Sequence, residues 1–162
     1  VTLINPSHPL TGTGGTLSNQ PATLIDLTQT ALETAWSDIR SWSDDAGLNI
    51  GISPKLLVVP PELYMTATRI LESKQEVDTA NNAINPSYNL VPHIDWQFLT
   101  DADAWFIITD AELGLMSFTR WPAEFERDNH FDTKNLRFSA TKRWSQGHVD
   151  FRAIYGSDGS AS

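Results

Sequence analysis

Apolar positions along the chain fall into helical, continuous and alternating patterns. From Thr28, the residues Leu32, Ala35, Trp36 and Ile39 recur at the spacing that aligns one face of an α-helix, and Trp42 continues the stripe. Thr30 followed by Glu33 has the form of a capping box, and Gly47 after Asp44 and Asp45 predicts the stop. Those two acidic residues in a last turn oppose the helix dipole. Residues 56–59 are apolar throughout, as in a strand covered on both faces. Pro60 and Pro61 close it, and proline suits the first helical position because its missing amide hydrogen would be unpaired there. Leu63, Ala67, Ile70 and Leu71 then mark the buried face of a second helix ending near Lys74. This corner has no glycine, nucleophile or phosphate-binding residue, so its role is architectural.

After a polar loop at 75–90, period-two alternation takes over. In 93–98, Ile94, Trp96 and Phe98 share one face, which predicts a half-buried strand. Residues 104–109 predict another strand, with 115–121 as its partner. Leu136, Phe138 and Ala140 alternate up to Trp144, and Val149, Phe151, Ala153 and Tyr155 alternate again. With Ser145–His148 as the turn, this predicts a long β-hairpin over 134–156. A two-stranded ribbon is marginal alone, so its apolar face needs cover from a neighbouring subunit or from a preceding part of the chain. The N-terminal 22 residues are rich in Thr, Gly, Ser, Asn and Pro without a period, predicting an extended or mobile segment, and 156–162 predict a frayed end. The fold class is α+β.

Composition narrows the function. There is no cysteine, which removes disulfides, thiolate metal sites and cysteine nucleophiles. No apolar run approaches a membrane span. The net charge of −9 argues against a general nucleic-acid binder. The charge is also divided: residues 133–162 hold Lys134, Arg137, Lys142, Arg143 and Arg152 against Asp150 and Asp158, while the remaining body carries 18 of the 20 acidic residues. Such a split favours docking of like subunits head to side. The first residue is Val1, and no charged segment followed by an apolar one marks a signal peptide, so we expect a longer chain to precede it.

Candidate chemistry is sparse. Gly12, Gly14 and Gly15 lack the Gly-Lys-Ser/Thr of a phosphate loop. Asp128, His130 and Asp132 alternate and form the one group with the look of a metal site; they define an alternative reading as a metal-dependent hydrolase. The paired carboxylates Asp101 with Asp103 and Glu124 with Glu126 sit in polar, turn-like contexts unsuited to general acid–base work. No nucleophile elbow or His-Glu-x-x-His pair occurs. Core signals and aromatic anchors without an active site favour a structural, self-associating protein, with no cofactor and no enzymatic activity. The subunit-interface candidates are Trp144, Phe151 and Tyr155 as anchors, with Arg143 and Arg152 as partners for acidic neighbours.

The order of several stretches resembles the major capsid proteins of tailed bacteriophages, particularly the branch of the Mu-like prophage head subunit. The carrying stretches are "LINPSHPLTGTGGTLSNQPA", "ALETAWSDIRSWSDDAGLNIGISPKLLVVPPELYMTATRILES", "DADAWFIIT" and "LRFSATKRWSQGHVDFRAIYGSDG". The resemblance implies the Hong Kong ninety-seven capsid fold. It implies an extended leading segment at 1–22, an axial-domain-like region of helices and mixed sheet at 23–125, and strands returning to a peripheral domain at 126–162. It further implies hexamers and pentamers of this chain tiling an icosahedral shell around double-stranded DNA. Assembly would take place in the bacterial host cytoplasm, with scaffold or decoration proteins as further partners. The family's N-terminal arm, extended loop and spine helix have no counterpart in these residues, so covalent crosslinking through that loop is not carried over. A different virion or tail component is a third reading.

Overall fold

The computed structural model describes residues 2–10, 15–76, 83–112 and 114–159. It divides into two units, Val1–Gly114 with Asp150–Ser162, and Leu115–Val149. Gly12 and Gly14, and residues 160–162 of the expected frayed end, lie outside the described residues; Gly156 and Ser157, expected to fray with them, are instead buried in a sheet strand paired with Phe106 and Trp105. The described residues are α+β: two α-helices, a mixed four-stranded sheet, a long hairpin and a short two-stranded pair near the N-terminus.

In the first unit, helix α1 spans Gln29–Arg40 and helix α2 spans Pro61–Glu72. The N-cap of α1 is Thr28, whose side chain accepts from the Ala31 amide, so the cap lies two residues before the expected Thr30. Glu33 instead accepts from Gln29 and from Ser87. The helix stops at Arg40, and Asp44 and Asp45 fall in the following turn, where they do not oppose its dipole. Asp44 accepts from the Ala46 and Leu48 amides, and Gly47 supplies the left-handed φ of 82° that this turn requires. Pro60 and Pro61 act as expected: Pro60 caps α2 in extended conformation and Pro61 opens it. At the other end of α2, the Asn85 amide donates to the carbonyls of Ile70 and Ser73 and so satisfies acceptors of the last turn.

The four-stranded sheet contains β3 (Pro54–Val59), β4 (His93–Asp95), β5 (Trp105–Thr109) and β8 (Ile154–Ser157), in the order β4-β3-β5-β8. Strands β3 and β4 are parallel, and the other pairs are antiparallel. Alternation sorts their side chains: Leu57, Val59, Trp105, Ile107 and Tyr155 join one core with Ala31, Leu32, Ala35 and Ile39 of α1 and with Ala67 and Leu71 of α2. His93, opposite Leu57, faces Thr68 of α2 at 3.0 Å, which places α2 on the same side. Val58, Phe106 and Gly156 point to the other side, where Ile4 approaches so closely that a Cβ on Gly156 would collide with it.

The N-terminal segment is extended and pinned. Short strands β1 (His8–Pro9) and β2 (Thr16–Leu17) pair antiparallel, and Asn19 anchors the chain just after them. Asn19 is fully buried; its amide donates to the carbonyls of Leu3, Phe151 and Ile154, and its carbonyl oxygen accepts from the Asn5 amide at 2.9 Å. That network fixes the oxygen as the acceptor, so His8, 3.0 Å away, donates from Nε2.

The second unit is a single hairpin of β6 (Leu115–Asn129) and β7 (Leu136–His148), turning at His130–Asn135. This corrects two expectations. Residues 115–121 pair with β7 instead of with β5, and the hairpin partner of 136–148 lies before it instead of after it. Ser145–His148 end β7 in place of a turn, and the stretch expected as a second hairpin strand becomes a 3-10 helix (Phe151–Ala153) and then β8 in the first unit's sheet. Asp150 starts that change by accepting from the Arg152 amide. The expected domain boundary at 125/126 therefore falls inside β6.

Candidate assembly surface

The ribbon carries the densest exposure of large apolar side chains. Antiparallel partners share a face, so the register of β6 and β7 sorts the ribbon into two chemically distinct sides. One side carries Phe125, Arg127, Leu136, Phe138, Lys142 and Trp144, with no carboxylate. The other carries Arg137 opposite Asp128, Ser139 opposite Glu126, Thr141 opposite Glu124 and Arg143 opposite Trp121. Phe125 is 82% exposed and Phe138 76%. Two register shifts between Thr119 and Glu124 place the extra residues on β6 and leave β7 regular; Pro122, which has no amide hydrogen to donate, sits in the second of them.

The five interface candidates separate between the two units. Arg143 and Trp144 are exposed on β7 but on opposite faces, as neighbours in a strand must be; Lys142 lies 5.9 Å from the Trp144 ring centre. Phe151, Arg152 and Tyr155 make contacts inside the first unit. Phe151 stacks on His8 at 4.0 Å, with the Arg152 guanidinium 4.9 Å from its ring centre. Arg152 also contacts Asp150 at 3.4 Å and donates to the Ser43 carbonyl at 3.0 Å. Tyr155 is buried beside Trp42 and Trp105, and its hydroxyl donates to Asp38 at 2.9 Å.

That tyrosine sets a measurable pH dependence. Burial, and then the negative charge and hydrogen bond of Asp38, push its phenol far above the usual tyrosine range. Unfolded tyrosine ionises near pH 10 while the folded one stays neutral, so this part of the stability is complete below about pH 10 and is lost as pH rises further. Tyr155→Phe is expected to destabilise the first unit by about 1–3 kcal/mol at neutral pH, by leaving Asp38 without its donor. The gap from the wild type is expected to narrow above about pH 10, as checked by urea unfolding at pH 7 and 10.5.

The Asp128, His130 and Asp132 group does not form a site. Asp128 faces Arg137 across the strands, while His130 begins the turn and meets the Thr133 hydroxyl at 3.1 Å. Among the described residues, no group of three or more His, Asp or Glu side chains is placed to hold a metal ion. Asp101, Asp103, Glu124 and Glu126 are all exposed. No helix of the described residues is long and apolar enough to cross a membrane.

Sequence reasoning missed Asn19, whose burial has no periodic signature. The signal that was available is chemical: Asn5-Pro6-Ser7 and Asn85-Pro86-Ser87 form the same turn, the asparagine oxygen accepting from the serine amide two residues on. Asn85 and Ser87 of the second turn are buried, while Pro6 and Ser7 of the Asn5 turn are exposed and its Asn5 amide is held by the buried Asn19.

A small layered unit, together with a two-stranded ribbon whose large aromatic side chains are exposed, has the character of a structural subunit. The chain belongs to the phage capsid protein family, which it matches over residues 2–157. It is a non-enzymatic structural subunit of the phage head, located in the virion capsid. Among curated proteins, nothing matches the chain. The metal-hydrolase alternative falls with this family membership.

Proposed function

We propose that this subunit has the Hong Kong ninety-seven capsid fold in the form of the Mu-like prophage head subunits. In this reading it assembles in the bacterial host cytoplasm as hexamers and pentamers that tile an icosahedral shell around double-stranded DNA. The observation that carries the proposal is the ribbon. A strand of 15 residues pairs with one of 13, and no residue of β7 is even half-buried. Two strands exposing this much apolar surface are marginal alone and gain stability when neighbours cover them. The proline-locked corner at Pro60 and Pro61 supports the same reading, because a repeated subunit needs geometry that does not vary between copies. The net charge of −9 suits a container that holds its genome without binding it tightly.

On this reading the helices and sheet belong to the axial domain. The ribbon supports moving the start of the peripheral part from residue 126 to Leu115, with 150–157 returning to the axial sheet. Scaffold or decoration proteins are further partners of the shell. Native mass spectrometry of the full natural chain tests the oligomers: hexamers and pentamers are expected, and a monomer at every concentration that permits shell formation in the host would refute the proposal.

A further inference from the structure

The first unit has an aromatic and acidic surface at one end of its sheet. Strands β3 and β4 finish there, at Val59 and Asp95, β5 begins there at Trp105, and β8 finishes beside it at Ser157. In the connection leaving β4, Trp96 is 51% and Phe98 85% exposed, although alternation marks both for cover. Glu62, Asp95, Asp101, Asp103 and Asp158 are exposed in the segments that meet at this end. Among the described residues none of these five is ion-paired; the ion pairs found are those of Arg152 with Asp45 and Asp150. No lysine or arginine occurs between Lys74 and Arg120. Two of the unit's cations are held at the opposite end, Arg40 on Ser53 just before β3 and Arg152 on Ser43, with the Arg152 carbonyl bound by Thr109 at the end of β5.

Exposed aromatics among unpaired carboxylates fit a partner that brings apolar side chains and positive charge together. The chain has such a surface: the carboxylate-free side of the ribbon, with Phe125, Phe138 and Trp144 beside Arg127 and Lys142. We propose that this side of the ribbon in one copy docks against the Trp96 and Phe98 end of the sheet in a second copy. The proposal rests on the capsid reading, which supplies many copies. The two surfaces differ, so the contact is head to tail, and every copy offers one of each; contacts of this kind close into rings when the rotation between copies allows. Buried aromatics would provide the anchors, while charge sets the register and rejects wrong pairings.

Charge exchange in the full natural chain tests this. Asp95→Lys with Asp103→Lys reverses the sheet end, and Arg127→Glu with Lys142→Glu reverses the ribbon. All four side chains are exposed, so both variants are expected to keep the wild-type circular dichroism and unfolding midpoint. Each is expected to lose at least about tenfold in association, read by sedimentation at concentrations where the wild type assembles. A one-to-one mixture of the two is expected to recover association, because the new lysines of one meet the new glutamates of the other while the two native surfaces also pair. Either variant assembling as the wild type does would overturn the docking and leave the capsid reading intact. A mixture that stays apart would also overturn it, and most sharply if a single chain carrying all four substitutions assembles, since the contact would then lie within one chain. A wild type that never associates would remove the capsid reading and this proposal together.

Discussion

Asn19→Ala is expected to lower the stability of the sheet unit by about 4 kcal/mol or more, measured by urea unfolding. The substitution removes one hydrogen bond each from the carbonyls of Leu3, Phe151 and Ile154, from the Asn5 amide and from His8 in a single step, while the Phe151 carbonyl keeps the Ile154 amide as a donor. Each buried polar group left unsatisfied costs about 1–3 kcal/mol, and the groups share one network, so the total falls below the simple sum. Asn19 also ties the N-terminal segment to β8, because its own carbonyl accepts from the Gly156 amide. Exchange of that amide with solvent is therefore expected to quicken in the variant. Asn19→Asp is expected to fare no better, because a carboxylate has no hydrogen for three facing carbonyls. Stability within about 1 kcal/mol of the wild type for both variants would contradict this account of the junction.

Trp105→Ala is expected to cost about 3–5 kcal/mol, the range for truncating a large buried aromatic. Trp105 is fully buried, packs beside Tyr155 and donates from its indole nitrogen to the Ile25 carbonyl at 3.0 Å. It therefore joins the sheet to the segment leading into α1. Trp105→Phe keeps most of the volume and loses the hydrogen bond, so a smaller loss of about 1–3 kcal/mol is expected. The comparison separates packing from hydrogen bonding, and equal losses for the two variants would show that the indole nitrogen dominates. Neither substitution touches the ribbon, so the hairpin register is expected to persist in both.

The legible parts of the sequence were those governed by local physics. The stripe from Leu32 to Ile39, the apolar run at 56–59 and the paired prolines each impose one local structure, and each was found where expected. Pairing between strands was harder to read. Pro122 and the two register shifts break the alternation of β6, so a 15-residue strand looked like a short one followed by a polar turn. The true partner of β7 was thus hidden, and the alternating Phe151, Ala153 and Tyr155 looked like a hairpin strand. Asp150 and the burial of Tyr155 carry that stretch into the sheet instead.

The candidate surface was legible in composition and illegible in detail. The basic character of β7 and the exposure of Trp144 follow from reading the chain alone. That Arg143 faces away from Trp144, that one ribbon side lacks carboxylates, and that Phe151, Arg152 and Tyr155 make contacts within their own unit all depend on register and burial. Arg143→Glu and Arg152→Glu are consequently different experiments: the first alters an exposed ribbon, and the second disrupts contacts with Asp150 and Ser43 inside a folded unit.

Electron cryomicroscopy of particles from the native lysate shows whether copies of this subunit build the shell. This chain is expected at every hexamer and pentamer position of an icosahedral shell, with its ribbon covered by neighbouring protein. Particles whose shell is made of another chain, or a shell in which both faces of the ribbon lie bare to solvent, would contradict it.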